Sequence, residues 1–168
     1  LQRWRGELQL TRREQGVLAG SLVVLDRQLQ RLRQRRLRIA VFGRVGVGKS
    51  SLINALVGTD VMETDVAHGK TRRQQAVNWP IPIPGLDQVE LVDTPGIDEI
   101  QAAGRARLAR RIAMEADLVL LVIDSDLTRT DQDGLKVLQD SGKPVHLVLN
   151  RSDRWQADEI TEAVSYTH

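Results

Sequence analysis

Apolar runs alternate with amphipathic segments along most of this chain. Three apolar runs predict strands: 38–43, 117–124 and 144–150. The last two runs are continuous enough to be strands buried on both faces of a sheet. Three segments with helical spacing alternate with these strands: 48–58, 103–116 and 131–141. Alternation of this kind predicts a three-layer α/β domain with a mainly parallel sheet.

Two further extended segments predict a hairpin. Residues 74–83 and 87–93 flank the turn sequence PGLD. Because proline cannot donate a hydrogen bond to a neighbouring strand, Pro80 and Pro82 restrict the first arm to the edge of the sheet.

The first 36 residues predict an amphipathic helical arm. Its apolar positions follow one alternating spacing of three and four residues: Leu1, Trp4, Leu8, Leu18, Leu22, Leu25, Leu29 and Leu32. Gly16 and Gly20 are expected to be weak points of this helix. The apolar stripe is typical of a helix that packs on its own domain. It is also compatible with a partner helix, a self-associating coil or a membrane surface.

Charge is distributed unevenly along the 168 residues. The formal net charge is +2, yet residues 1–38 carry ten arginines and only three acidic residues. The simplest interpretation is that arginines cover the solvent face of the arm, and nucleic-acid binding is not indicated. The chain has no cysteine, which excludes disulfides and thiolate metal sites. No apolar stretch approaches the ~20 residues of a membrane span.

A glycine-rich segment follows the first predicted strand. Gly43, Gly48, Lys49 and Ser50 fit the pattern G-x-x-x-x-G-K-S between a strand and a helix. Such a P-loop curls around an anion, since its N–H groups and the helix N-terminus favour negative charge. Lys49 reaches the β- and γ-phosphates in this motif, and the Ser50 hydroxyl binds Mg²⁺. The candidate nucleotide-binding residues are Gly43, Arg44, Val45, Gly46, Val47, Gly48, Lys49, Ser50 and Ser51. The alternative is an ordinary glycine-rich turn.

Two shorter motifs follow predicted strands. In LVDTPG, the Asp93 carboxylate can hold Mg²⁺, and the Gly96 N–H can bind a γ-phosphate. The alternative for LVDTPG is an ordinary turn that follows a strand. In NRSD, the Asp153 carboxylate can accept two hydrogen bonds from guanine, while Asn150 can brace the loop and touch the base. The alternative for NRSD is a strand end or a helix cap.

In these motifs the sequence resembles a GTPase of the translation-factor-related class, close to the Era-like and dynamin/septin groups. The resemblance covers residues 37 to about 155 and includes DVAHGKTRRQ, where Thr71 corresponds to the switch threonine that closes on Mg²⁺ and the γ-phosphate. It implies a G domain over residues 37–168 that binds GTP and GDP with Mg²⁺ and hydrolyses GTP. The implied catalytic residues are Lys49, Thr71 and Gly96. The implied metal ligands are Ser50, Thr71 and Asp93. The implied base and loop residues are Asn150, Arg151 and Asp153.

The sequence also departs from the family pattern. Arg151 replaces the usual lysine of the fourth motif. Ile97 stands where Ras-like members place a water-orienting glutamine, and Gly46 replaces the asparagine of potassium-stimulated relatives. We therefore expect slow intrinsic hydrolysis, stimulated by a homodimer through the G domain or the helical arm, or by a partner. Only fifteen residues follow Asp153. We therefore expect the last guanine loop, strand and helix of the family to be missing.

Two other classes of function stay open at this point. A P-loop ATPase or small-molecule kinase shares the first motif, and a non-catalytic nucleotide-binding module would work through its helical arm. A membrane or a protein is the expected kind of effector. We expect the protein in the cytoplasm. The alternative is a peripheral position at a membrane, to which the basic arm would attach.

Overall fold

The computed structural model of the chain describes residues 7, 9–62, 75–99 and 102–154. Within these residues the helices are α1 (Arg12–Arg33), α2 (Lys49–Val57), α3 (Ala102–Glu115) and α4 (Arg129–Asp140). The strands are β1 (Arg36–Phe42), β2 (Gln75–Asn78), β3 (Gln88–Asp93), β4 (Leu118–Ile123) and β5 (Val145–Leu149). Two short 3₁₀ turns span Ile97–Glu99 and Ser152–Arg154.

The strands form one five-stranded sheet in the order β2-β3-β1-β4-β5. β3, β1, β4 and β5 run parallel, and β2 pairs antiparallel with β3 at the edge. Parallel strands end at the same edge of a sheet, so the loops after β1, β3, β4 and β5 gather there. This sheet with its flanking helices confirms the predicted three-layer α/β domain.

The first hairpin arm is shorter than predicted. β2 ends at Asn78, whereas the sequence pattern predicts an extended arm over residues 74–83. Trp79 still donates its backbone N–H to the Val89 carbonyl at 2.8 Å. The next residue, Pro80, has no N–H to give, and the ladder stops there.

Two apolar cores lie on opposite faces of the sheet. Alternation along β1 sends Ala40 and Phe42 to one core and Ile39 and Val41 to the other. The first core includes buried side chains of α3 and α4, and the second includes Ile53 of α2. Burying a large apolar side chain contributes roughly 1.5 to 3 kcal/mol before entropy is counted. Burial of these side chains therefore holds the helices against the two faces of the sheet.

Helix α1 begins with a capping box and is continuous through Gly16 and Gly20. The Thr11 Oγ1 accepts from the Glu14 N–H, and the Glu14 carboxylate accepts from the Thr11 N–H at 2.8 Å. Val17, in the first half of the helix, is 77% exposed. The predicted apolar positions at residues 1, 4 and 8 lie outside the described residues.

The second half of α1 packs on the domain. Leu29 is buried, and the Arg31 guanidinium bonds both oxygens of Asp117 at 3.0 and 3.2 Å. The Arg38 backbone N–H also donates to the Asp117 Oδ2, at 2.9 Å. Asp117 therefore joins α1 to the first residues of β1. No helix among the described residues is long and apolar enough to span a membrane.

We predict that Leu29→Ala lowers the free energy of unfolding by about 2 to 3 kcal/mol, since it deletes a buried side chain where α1 meets the domain. Leu32→Ala is the matched control, because Leu32 lies in the same helix and is 62% exposed. Urea unfolding measures both variants. Equal effects of the two substitutions would show that α1 is not docked through Leu29.

Candidate functional site

The loop between β1 and α2 closes on itself through Lys49. The Lys49 Nζ donates to the Arg44 carbonyl at 2.6 Å, and the residue is 7% exposed. Burial lowers the pKa of Lys49, while the negative charges of Asp93, Asp98 and Glu99 oppose that shift. A buried ammonium with three donors is stabilised by nearby negative charge. The chemistry of the loop therefore suits an anion.

The loop that follows β5 braces this P-loop. The Asn150 Nδ2 donates to the Val47 carbonyl at 2.8 Å, and the Arg151 Nη2 donates to the Gly46 carbonyl at 2.9 Å. Both carbonyls thus point to the β5 loop and not into the curl. Gly48 has a φ of +91°, and a Cβ on it would overlap the Asn150 amide. Only glycine allows this approach.

A hydroxyl and a carboxylate meet beside Lys49. The Ser50 Oγ donates to the Asp93 Oδ2 at 2.6 Å, and Asp93 is buried at the end of β3. These are the hard oxygen donors that Mg²⁺ prefers, and Mg²⁺ sites typically add phosphates and waters to one or two protein ligands. The pair therefore fits Mg²⁺. The described residues contain no group of three or more His, Asp or Glu side chains suited to a metal.

Thr71, the third predicted metal ligand and a predicted catalytic residue, lies outside the described residues.

The segment after β3 packs directly against the P-loop. A Cβ on Gly96 would lie 2.8 Å from the Val45 nitrogen and would overlap the Val45 side chain. The Ile97 N–H donates to the Gly43 carbonyl at 3.3 Å, and the Ile97 side chain is 1% exposed within the first core. Gly96 therefore lies next to the loop, whereas the Ile97 side chain faces away from it.

Asp153 lies in the 3₁₀ turn after β5, with an exposed side chain. Asn150 and Arg151 come from the same segment and contact the P-loop. The structure thus brings the NRSD motif to the glycine-rich loop across the parallel sheet. Ser51 lies in the first turn of α2 and is exposed.

A polar network around Arg44 could not be foreseen from the motifs. The Arg44 Nε donates to the Asp131 Oδ2 at 3.0 Å, and its Nη2 donates to the Ser125 Oγ at 3.0 Å. Asp131 is fully buried and also forms the capping box of α4 with Thr128. The T-x-x-D spacing of that box is visible in the sequence. The contact between Asp131 and Arg44 is not visible in the sequence, since the two residues are 87 positions apart.

A second ion pair extends this network. The Arg151 Nη1 bonds the Asp124 Oδ2 at 2.7 Å, and Arg44 approaches the other Asp124 oxygen at 3.5 Å. Asp124, the first residue after β4, therefore lies between the two arginines. The P-loop is thereby tied to the ends of both β4 and β5.

Comparison with known proteins identifies related chains. A family model described as a 50S ribosome-binding GTPase matches residues 38–151. The tRNA modification GTPase MnmE of Halorhodospira halophila is 33% identical over 154 residues, which cover 81% of this chain and 31% of MnmE. GTPase Era of Xylella fastidiosa is 39% identical over 124 residues, which cover 71% of this chain and 41% of Era. The chain thus spans less than half the length of these curated relatives.

A solved structure shares the fold. Era from Aquifex aeolicus, in a variant bound to GDP and AlF4⁻, is 28% identical with a TM-score of 0.67. The match covers 79% of this chain and 46% of that one.

We predict that Arg44→Ala lowers the free energy of unfolding by about 2 to 3 kcal/mol, because it leaves the buried Asp131 carboxylate without its cation. The cost stays below that of a fully buried pair, since the Arg44 side chain is 22% exposed. Adding Asp131→Asn should restore part of the loss in a double-mutant cycle. Arg129→Ala, at an exposed position of α4, is the control and should change stability by less than about 0.5 kcal/mol. Strictly additive effects of Arg44→Ala and Asp131→Asn would contradict the coupling.

Proposed function

The chain belongs to the 50S ribosome-binding GTPase family, and we propose that residues 37–168 act as a guanine-nucleotide switch that hydrolyses GTP to GDP and phosphate. In this proposal residues 1–36, in which α1 spans Arg12–Arg33, form a basic arm attached to that domain. The observation that carries the proposal is the bracing of the P-loop by Asn150 and Arg151. It joins the candidate phosphate site to the NRSD segment that would select the base.

The proposed roles follow from this geometry. Lys49 would bind the β- and γ-phosphates, since its buried ammonium lies within the curl of the loop. Ser50 and Asp93 would hold Mg²⁺, which supplies charge stabilisation to the transferring phosphoryl group when bound. Thr71 and the Gly96 N–H would complete the γ-phosphate contacts. Asp153 would accept hydrogen bonds from guanine, a donor pair that adenine lacks.

Slow intrinsic hydrolysis is the second part of the proposal. The Ile97 side chain is buried in the core and has no polar atom with which to orient water. Gly46 likewise lacks the side chain that potassium-stimulated relatives carry at this position. Help would have to come from a second copy, through the G domain or the arm, or from a partner. An arginine supplied in trans is worth roughly 10³- to 10⁵-fold in comparable enzymes.

We predict a single-turnover rate of GTP hydrolysis of about 10⁻⁴ to 10⁻³ s⁻¹ for the dilute protein, as in unassisted Ras. The rate is measured across protein concentration, in sodium and in potassium. Asp93→Asn controls for contaminating phosphatase, since it removes the charged metal ligand. A rate above ~1 s⁻¹ that does not change on dilution would refute the need for help. A strong potassium effect would show that Gly46 does not preclude stimulation by that cation.

A further inference from the structure

Asp98 places a carboxylate on the P-loop. The Asp98 Oδ1 accepts the Val45 backbone N–H at 2.7 Å, although the two residues lie 53 positions apart. An ionised acceptor makes this bond stronger than one between neutral groups. The N–H concerned belongs to the loop whose N–H groups bind phosphate in this motif.

The Asp98 carboxylate lies close to the groups that are proposed to contact a γ-phosphate. Its negative charge acts on Lys49, the residue that reaches the β- and γ-phosphates. Gly96, two residues earlier, packs against the same Val45 nitrogen. In the proposed function, the carboxylate, the ammonium and the Gly96 backbone are therefore neighbours around the position that a γ-phosphate would occupy.

The backbone that carries Asp98 is anchored. Asp98 is in the short turn Ile97–Glu99, and the Ile97 side chain is buried in the core. The Ile97 N–H also bonds the Gly43 carbonyl. The Asp98 side chain itself is exposed, so it can turn to solvent while the backbone stays in place.

We propose that Asp98 shifts the preference of this site towards GDP over GTP, by holding negative charge on the Val45 N–H beside the γ-phosphate position. The inference rests on the proposed function. A γ-phosphate brings further negative charge to this point, so GTP must repel the carboxylate or displace it from the N–H. GDP ends at the β-phosphate, so the Asp98 carboxylate repels it less strongly. Asp98 therefore lowers affinity for GTP more than for GDP.

The test compares the dissociation constants of fluorescent GDP and of a fluorescent, non-hydrolysable GTP analogue, both with Mg²⁺. Asp98→Asn removes the charge and keeps an oxygen that can accept the Val45 N–H. We expect the ratio of the GTP-analogue constant to the GDP constant to fall about two- to fivefold, the range of interactions between exposed charges. Asp98→Ala should lower the ratio at least as much.

Glu99→Gln is the matched control, since Glu99 is the adjacent exposed carboxylate and also acts on Lys49. Its ratio should stay near that of the wild type. Raising the salt concentration should shrink the difference between wild type and Asp98→Asn, because salt screens exposed charges. An unchanged ratio in Asp98→Asn, or an equal change in Glu99→Gln, overturns the proposal. If the wild type binds neither nucleotide, the proposed function itself fails, which is a separate outcome.

Discussion

The site depends on one constraint, which is that three carbonyl oxygens of the P-loop are held in place by side-chain donors. Lys49 holds the Arg44 carbonyl, Arg151 holds that of Gly46, and Asn150 holds that of Val47. A loop rich in glycine has many conformations, and each of these bonds removes some of them. Two of the three donors come from the end of β5, so the parallel sheet is what delivers them. The fold thereby prepares the loop for an anion.

The same loop also couples three other parts of the domain. Arg44 reaches the buried Asp131 at the start of α4, and Val45 contacts both Gly96 and Asp98 after β3. Ile97, between these last two, fills the core. The segment after β3 therefore packs directly on the loop that is proposed to bind phosphate. The same burial of Ile97 explains why that segment contributes backbone and no water-orienting side chain at this position.

Much of this architecture could be predicted from the sequence, because it depends on local patterns. Continuous apolar runs such as 117–124 predicted β4, and the glycine spacing predicted the P-loop before α2. The contacts between Arg44 and Asp131, and between Asp98 and Val45, could not be predicted, since they join distant residues through tertiary packing and leave no periodicity. The same limit applies to α1. Its stripe of leucines predicted a helix but did not decide what the stripe contacts, and Leu29 is buried while Leu32 is exposed.

Equilibrium titration of GDP and ADP against the wild type and Lys49→Ala tests most directly that this loop is a phosphate site serving a guanine nucleotide. The account predicts that the wild type binds GDP in preference to ADP. It also predicts that Lys49→Ala weakens GDP binding by at least about 30-fold, as expected when one partner of a buried charge pair is truncated. Lys136→Ala, on the exposed surface of α4, should bind GDP like the wild type. Equal affinity of Lys49→Ala and the wild type for GDP would contradict the account, as would a wild type that prefers ADP.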